Sequence, residues 1–492
     1  MLDPSTTSKE WWKIARSQLG VDKIKNVPPL IINDKIIIND IKKCECFNEY
    51  FVKECSSHID PIKLSASIDS LNILSDNLVD SYEPLEMFII TPSDVNNILK
   101  SVDINKANGP DGISNRILKI CNNQLSEPLA LVFNFALKTG KYPSEWKNAN
   151  LIPIFKKGDR QLMKNYRPVS LLSQTSKIFE RIIYNKIYDH CKINNILTEK
   201  NSGFKKLDST INQLIHFSHK IYQGLEDEEK IGIIFLDISK AFDSIWHKGL
   251  VFKLRKYGIK GSILKLIESY LSGRKQRVVI DGFLSEFLEI FCGVPQGSIL
   301  GPLLFLIFLN DIVDNIDSIM SLFADDTALA SIRKTWFEVE TDLNKSLIKL
   351  QNWSENWHLN FNADKTFYMM ISNNRTKKDK QEKLNLLLSN SPIKKISEHK
   401  HLGVIFNEGL TWSNHINYTC GRASKSLGLL YKNRKCFNRA TLIKLYFSMI
   451  RPIIEYGSIL YDNLTLSDEH RLENLQRRAA LICTGALPRS ES

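Results

Sequence analysis

Met320-Ser321-Leu322-Phe323-Ala324-Asp325-Asp326-Thr327-Ala328-Leu329-Ala330 is the stretch around which the 492-residue chain is read. Small, apolar and β-prone residues flank two adjacent carboxylates, a pattern that predicts strand, tight turn, strand. Asp is an ordinary turn residue, so a solvated acidic turn explains the pair when it stands alone. Two neighbouring charges repel, however, and a hairpin tip offers them no packing. A divalent cation would cancel that repulsion.

A further carboxylate upstream gives the pair a partner. Ile231-Gly232-Ile233-Ile234-Phe235-Leu236-Asp237 is a continuous apolar run ending in an acid. It predicts a central strand buried on both faces, with Asp237 at its end. A strand-terminal aspartate plus a hairpin aspartate pair is the smallest set for two-metal phosphoryl transfer, because two Mg²⁺ ions about 4 Å apart need shared carboxylate oxygens. One ion lowers the pKa of a primer 3′-hydroxyl, and the other gathers a triphosphate and neutralises the leaving pyrophosphate. Ile238-Ser239-Lys240-Ala241-Phe242-Asp243 then turns the chain towards a helix. There Asp243 is expected as a helix-start charge and His247 as a surface imidazole.

Bulk properties narrow the class. The length predicts two to four domains rather than one core. An excess of 66 Lys and Arg over 54 Asp and Glu, +12 in all, favours a polyanionic partner. Nine cysteines without a C-x-x-C pair suggest neither a disulfide framework nor a zinc ribbon, and reduced thiols fit nucleus or cytoplasm. Cys44, Cys46, Cys55 and His58 are not at a common zinc spacing, and Phe47, Tyr50 and Phe51 between them read as one face of a helix. Met1-Leu2-Asp3-Pro4 does not open a signal peptide, and the apolar run from Ile299 to Leu309 is too short to span a bilayer. Neither secretion nor membrane insertion is expected.

Residues 1–90 are weakly patterned, with a short helix expected around Trp11, Trp12, Ile14 and Ala15. A helix start at Thr91-Pro92-Ser93-Asp94 leads to a glycine-rich loop, Lys106-Ala107-Asn108-Gly109-Pro110-Asp111-Gly112-Ile113. A strand is expected from Ala149 to Phe155. The basic turn after it, Lys156-Lys157-Gly158-Asp159, and the later Arg167 can hold a triphosphate from two sides; an exposed basic loop is the plainer alternative. Ile178, Phe179, Ile182, Ile183 and Ile187 recur at helical spacing. Asn201-Ser202-Gly203-Phe204-Lys205 precedes another helix, and Glu226 to Lys230 reads as a charged linker.

Three segments in order carry a family likeness. They are Phe235-Leu236-Asp237-Ile238-Ser239-Lys240-Ala241-Phe242-Asp243, then Gly293-Val294-Pro295-Gln296-Gly297-Ser298-Ile299-Leu300-Gly301-Pro302, then Phe323-Ala324-Asp325-Asp326. Together they resemble a reverse transcriptase, of the non-LTR retrotransposon type and the jockey-like or LINE kind. Lys106–Gly112, Asn165-Tyr166-Arg167-Pro168-Val169-Ser170-Leu171-Leu172, Leu359–Thr366 and His401-Leu402-Gly403-Val404 are similar to further motifs of that family. The likeness runs over about residues 90–485.

The resemblance implies an α+β right-hand polymerase with a ferredoxin-like palm, mixed N-terminal fingers and a helical C-terminal thumb. It divides the chain into an extension (1–90), fingers and start of palm (91–230), palm (231–406) and thumb (407–492), with the polymerase domain at about 137–406. Asp237 and Asp325 match the essential metal ligands and Asp326 the third, with the Ile238 backbone carbonyl completing one ion's shell. Two Mg²⁺ ions are implied, with Mn²⁺ as a substitute. Phe242 matches a steric gate that excludes a 2′-hydroxyl. Gln296 matches the residue contacting the incoming nucleotide, and Gly297 the position where backbone must approach the nascent pair. Lys156 or Lys157 and Arg167 match the phosphate clamp, and Lys365 a general acid for departing pyrophosphate. His401–Val404 looks like a hairpin gripping the primer end. Leu442, Leu445, Tyr446, Met449, Ile450 and Ile453, with a kink at Pro452, and Arg471, Arg477 and Arg478 on a further helix, make a thumb that tracks nucleic-acid backbone.

The implied partners are an RNA template, a DNA primer or target DNA, and dNTPs. Full-length elements of this type carry an endonuclease upstream, for which the residues ahead of the glycine-rich loop are too few. A polymerase module is therefore expected. A viral-type RNA-dependent RNA polymerase shares the palm, but Phe242 argues against it. A non-catalytic or domesticated RNA-binding relic is the alternative from another class, against which the three aspartates stand.

Overall fold

The computed structural model describes residues 27–56, 82–373, 382–461 and 464–486. The helix expected around Trp11 and Trp12, and His58, lie outside the described residues. The chain forms two compact units, each built from two separated stretches: Met1–Ile196 with Phe242–Phe308, and Leu197–Ala241 with Leu309–Ser492.

In the first unit a five-stranded sheet is ordered Tyr166–Leu171, Asn148–Phe155, Arg274–Ile280, Phe283–Leu284, with Leu288–Ile290 also pairing to the Arg274–Ile280 strand. The first pair is antiparallel and the second parallel. The strand expected from Ala149 starts one residue earlier. The helix Asp40–Ser56 lays Cys44, Phe47 and Phe51 on this sheet against Leu151, Tyr166, Val278 and Ile280. Phe47 is wholly buried, a burial that contributes about 2–3 kcal/mol.

The helix Gln174–Ile193 is capped by the Ser173 hydroxyl and buries Ile178, Phe179, Ile182, Ile183 and Ile187, the stripe read from spacing. On its buried side Glu180 is also fully enclosed. Its Oε2 accepts from the Ile299 and Leu300 amides at 2.7 and 3.2 Å, and its Oε1 from the Ser176 hydroxyl at 3.1 Å. It thereby satisfies donors at the start of the apolar helix Gly301–Leu309. Among the described residues no helix is long and apolar enough to cross a membrane.

The second unit is organised by the expected apolar strand, Lys230–Asp237. It lies at the centre of a sheet ordered Lys394–Lys395, Phe367–Ile371, Lys230–Asp237, Asp326–Arg333, Ile319–Phe323. Ile231, Ile233 and Ile234 are entirely buried, so both faces are covered. The helix Trp336–Trp357 presses Val339 against one face: a Cβ on Gly232 would meet Val339 Cγ1 at 2.5 Å. Gly224 in the helix Thr210–Glu226 lies as close to Ile332 on the other, where a Cβ would stand 2.5 Å from Ile332 Cγ2.

Strands Glu398–His401 and Val404–Asn407 form a hairpin whose two-residue loop, Leu402 and Gly403, has φ of 45° and 90°, the type I′ requirement. Helices Ser413–Lys432, Arg439–Met449, Arg451–Glu455 and Leu466–Thr484 follow. The break at Ile450 sits just ahead of Pro452, which occupies the first turn of the next helix. Arg471, Arg477 and Arg478 lie on the last one.

Candidate active site

The acidic hairpin forms as read. Phe323 pairs with Asp326, leaving Ala324 and Asp325 as a two-residue loop in which Ala324 has φ of 58°. Asp326 is in turn the direct cross-strand partner of Asp237 in the antiparallel register. Directly opposed residues share a face, with Cα atoms about 4.5–5.5 Å apart. Two carboxylates from remote segments thus stand side by side, with a third on the adjoining turn.

The end of the Asp237 strand is clipped by the segment that follows the long helix. The Asn362 amide donates to the Asp237 carbonyl at 2.8 Å, and the Ser239 amide to the Asn360 carbonyl at 2.9 Å. Ile238 is bridged to Phe361 and is 5% exposed. The Thr366 hydroxyl donates to the Asn362 carbonyl at 2.8 Å. This clip delivers Lys365, whose Nζ lies 3.6 Å from Asp237 Oδ2. Both side chains are substantially exposed, so the pair adds little stability.

Among the described residues, no three or more His, Cys, Asp or Glu side chains converge into a group that could hold a metal ion. What the fold supplies is a cross-strand carboxylate pair, a turn carboxylate and an ammonium already drawn to Asp237. The three carboxylates offer oxygen donors of the type a hard divalent cation takes.

The turn is held from behind. The Ser202 amide donates to the Leu322 carbonyl at 3.0 Å, and the Leu322 amide to the Lys200 carbonyl at 2.9 Å. Asn201, 3% exposed, accepts through Oδ1 from the Gly203 amide at 2.9 Å and the Ala324 amide at 3.3 Å. Gly203 packs so closely that an added Cβ would fall on the Ala324 amide nitrogen.

The remaining candidates belong to the first unit. Arg167 opposes Ile154, and the ladder continues through the Lys156 amide to the Asn165 carbonyl at 2.8 Å. By strand alternation Lys156 therefore shares the Arg167 face, while Lys157 enters the turn before Gly158. All three basic residues are exposed. Phe242 is half-buried, its ring stacked on Phe305 at 4.5 Å. Gln296 donates from Nε2 to both oxygens of Asp243, at 2.9 and 2.8 Å. Gly297 has φ of 130°, and a Cβ there would strike the Ser170 carbonyl, so its own neighbouring strand already demands glycine.

Two expectations are corrected here. His247 is no surface imidazole: its Nε2 lies 2.7 Å from the Gly293 carbonyl, and burial pushes its pKa down to about 4. Asp243 is no bare helix-start charge, since it engages Gln296 and the helix begins only at His247. A cleft beside them is lined by Phe51, Cys55, Asp243, Cys292 and Gln296. Cys55 and Cys292 face each other there, the Cys292 thiol donating to the Cys55 carbonyl at 3.1 Å. Burial drives the Cys44 thiol up to about 11, opposite to what a thiolate ligand needs.

The family model for reverse transcriptase (RNA-dependent DNA polymerase) matches residues 154–406, just over half of the chain. The chain belongs to the reverse transcriptase family. Relatives place it among the non-LTR retrotransposon members. It is 30% identical to the RNA-directed DNA polymerase from mobile element jockey of Drosophila melanogaster, across 82% of this chain and 44% of that protein. It is 28% identical to the probable RNA-directed DNA polymerase from transposon BS of the same organism, across 96% and 52%. For the corresponding X-element protein the figures are 27%, 89% and 48%. The chain thus spans about half the length of the curated relatives it matches. All three aspartates, Lys365, Phe242, Gln296 and Arg167 fall inside the segment matched to the reverse transcriptase model.

Proposed function

We propose that the chain is an RNA-directed DNA polymerase that adds dNTPs to a DNA primer or nicked-target 3′-hydroxyl on an RNA template. The observation that carries the reading is the Asp237–Asp326 register with Asp325 on the adjoining turn, in a chain of this family. Asp237, Asp325, Asp326 and the Ile238 carbonyl would hold two Mg²⁺ ions, which Mn²⁺ can replace. Held there, they would supply a lowered pKa for the primer hydroxyl and charge neutralisation for departing pyrophosphate.

The chain's own groups do the rest. Lys365, tethered beside Asp237, holds a proton at Nζ and gives it to pyrophosphate. Lys156 and Arg167, on one face of their hairpin, grip the triphosphate, with Lys157 at the turn as the further cation. The Phe242 ring, braced by Phe305, bars a 2′-hydroxyl, and Gln296 contacts the incoming nucleotide. In this reading residues 91–230 and 231–406 act as fingers and ferredoxin-like palm, and the helices beyond 407 as a thumb following the hybrid's phosphates.

The test is extension of a primer on poly(rA) with dTTP and Mg²⁺, beside the Asp325→Ala, Asp326→Ala protein. Extension by the first and none by the second is expected. Equal signal from both would end the enzyme reading and leave an RNA-binding relic.

A further inference from the structure

Asp243 stands outside the catalytic set proposed above, yet both its carboxylate oxygens receive the Gln296 amide nitrogen, at 2.9 and 2.8 Å. A side-chain amide has two near-identical ends and turns over easily unless its surroundings choose between them. An ionised carboxylate only accepts, so it chooses: nitrogen towards Asp243, carbonyl oxygen away. Charge assistance makes the contact stronger than a neutral one.

The backbone beneath is fixed independently. The Gly293 amide donates to the Ile245 carbonyl at 2.9 Å, the Val294 amide to the Phe242 carbonyl at 2.8 Å, and the Ser170 amide to the Gln296 carbonyl at 2.8 Å. Gly293 lies so near that a Cβ on it would stand 2.6–2.8 Å from the Asp243 backbone. The Gln296 side chain is thus the adjustable part, and Asp243 sets it.

We propose that Asp243 is a positioning residue that locks the Gln296 amide, presenting its carbonyl oxygen to a donor on the incoming nucleotide. This rests on the reading of Gln296 as a nucleotide contact. With the lock in place, the long side chain is ordered before the nucleotide arrives, so its rotamer entropy is not charged to binding.

Single-turnover extension on poly(rA) at varied dTTP tests the inference, using wild type, Asp243→Ala, Asp243→Asn, Gln296→Ala and the double Ala variant. Asp243→Ala is expected to weaken apparent dTTP affinity about tenfold while the maximal rate stays within about twofold. Asp243→Asn keeps the shape but lets the amide turn over, and should lose about threefold. The double variant should be no worse than Gln296→Ala, because Asp243 acts through it. Affinity unchanged in Asp243→Ala, rate and affinity falling together, or losses that multiply in the double variant would each overturn the proposal. A wild type that extends nothing removes the polymerase reading and this inference with it. An active wild type with an indifferent Asp243→Ala removes the inference alone.

Discussion

Gly203→Ala is the most direct perturbation of the acidic turn that leaves every carboxylate in place. The added methyl would fall on the Ala324 amide nitrogen and 2.9 Å from both Ala324 Cα and the Phe323 carbonyl carbon. All three are backbone atoms of the loop carrying Asp325, so no flexible side chain can yield. Restoring ordinary contact distances of about 3.5–4.0 Å requires the turn or the Asn201–Gly203 segment to shift by about 1 Å. Overpacking of this kind costs about 2 kcal/mol, or about 4–8 °C in the melting of a unit of this size. A 1 Å displacement of reacting groups costs about 10²-fold in rate. The expected result is a folded protein with circular dichroism like wild type, a modestly lower midpoint, and primer extension on poly(rA) reduced about a hundredfold. Extension within about threefold of wild type would refute the claim that this glycine sets the position of the turn.

Phe242→Ala should lower the preference for dTTP over UTP by about tenfold or more, read from incorporation of each on one template; an unchanged ratio contradicts the gate. His247 and His401 titrate at about 4 and about 3 in the folded chain, below the ordinary 6.5, because burial disfavours the charged ring. The unfolded chain therefore takes up protons first as pH falls. Their stabilisation is complete above about pH 6.5 and is lost towards the folded values, costing about 2 kcal/mol per ring at pH 5. Urea unfolding at pH 7.5 and pH 5 should show the loss, and His401→Phe should shrink it by about that amount; an unaltered difference counts against the assignment. Glu180→Gln leaves a single carbonyl oxygen for the Ile299 and Leu300 amides and removes the charge assistance, and should lower stability in urea by about 1–2 kcal/mol; no change would deny the buried carboxylate its capping role.

The parts of the fold set by local pattern could be read directly. Ile231–Leu236 is apolar at every position except Gly232, which only a strand covered on both faces requires, and Phe323–Asp326 has the composition of a tight turn. The opposition of Asp237 to Asp326 adds a register that neither segment's composition fixes. What escaped are contacts whose partners are polar, ordinary and remote. Asp243 and Gln296 are 53 residues apart, and Asn201 lies 123 residues from Ala324. Asn-Ser-Gly looks like any turn, and nothing local separates a turn from a clamp. Glu180 did carry a signal: it falls in line with Ser176, Ile183 and Ile187 at helical spacing, so an acid on that stripe had to find donors inside. For Gly297 the expected reason, room for a nascent base pair, is joined by a nearer one, the Ser170 carbonyl.

The central position of the Lys230–Asp237 strand has a consequence for biosynthesis. Its two sheet neighbours, Asp326–Arg333 and Phe367–Ile371, emerge from the ribosome only after about 90 and about 130 further residues, roughly 5–25 s at ordinary translation speeds. Throughout that interval a ribbon apolar from Ile231 to Leu236 has neither edge satisfied, so nascent chains stalled before Asp326 should be chaperone-bound or insoluble, and slower, cooler expression should raise the yield of soluble protein.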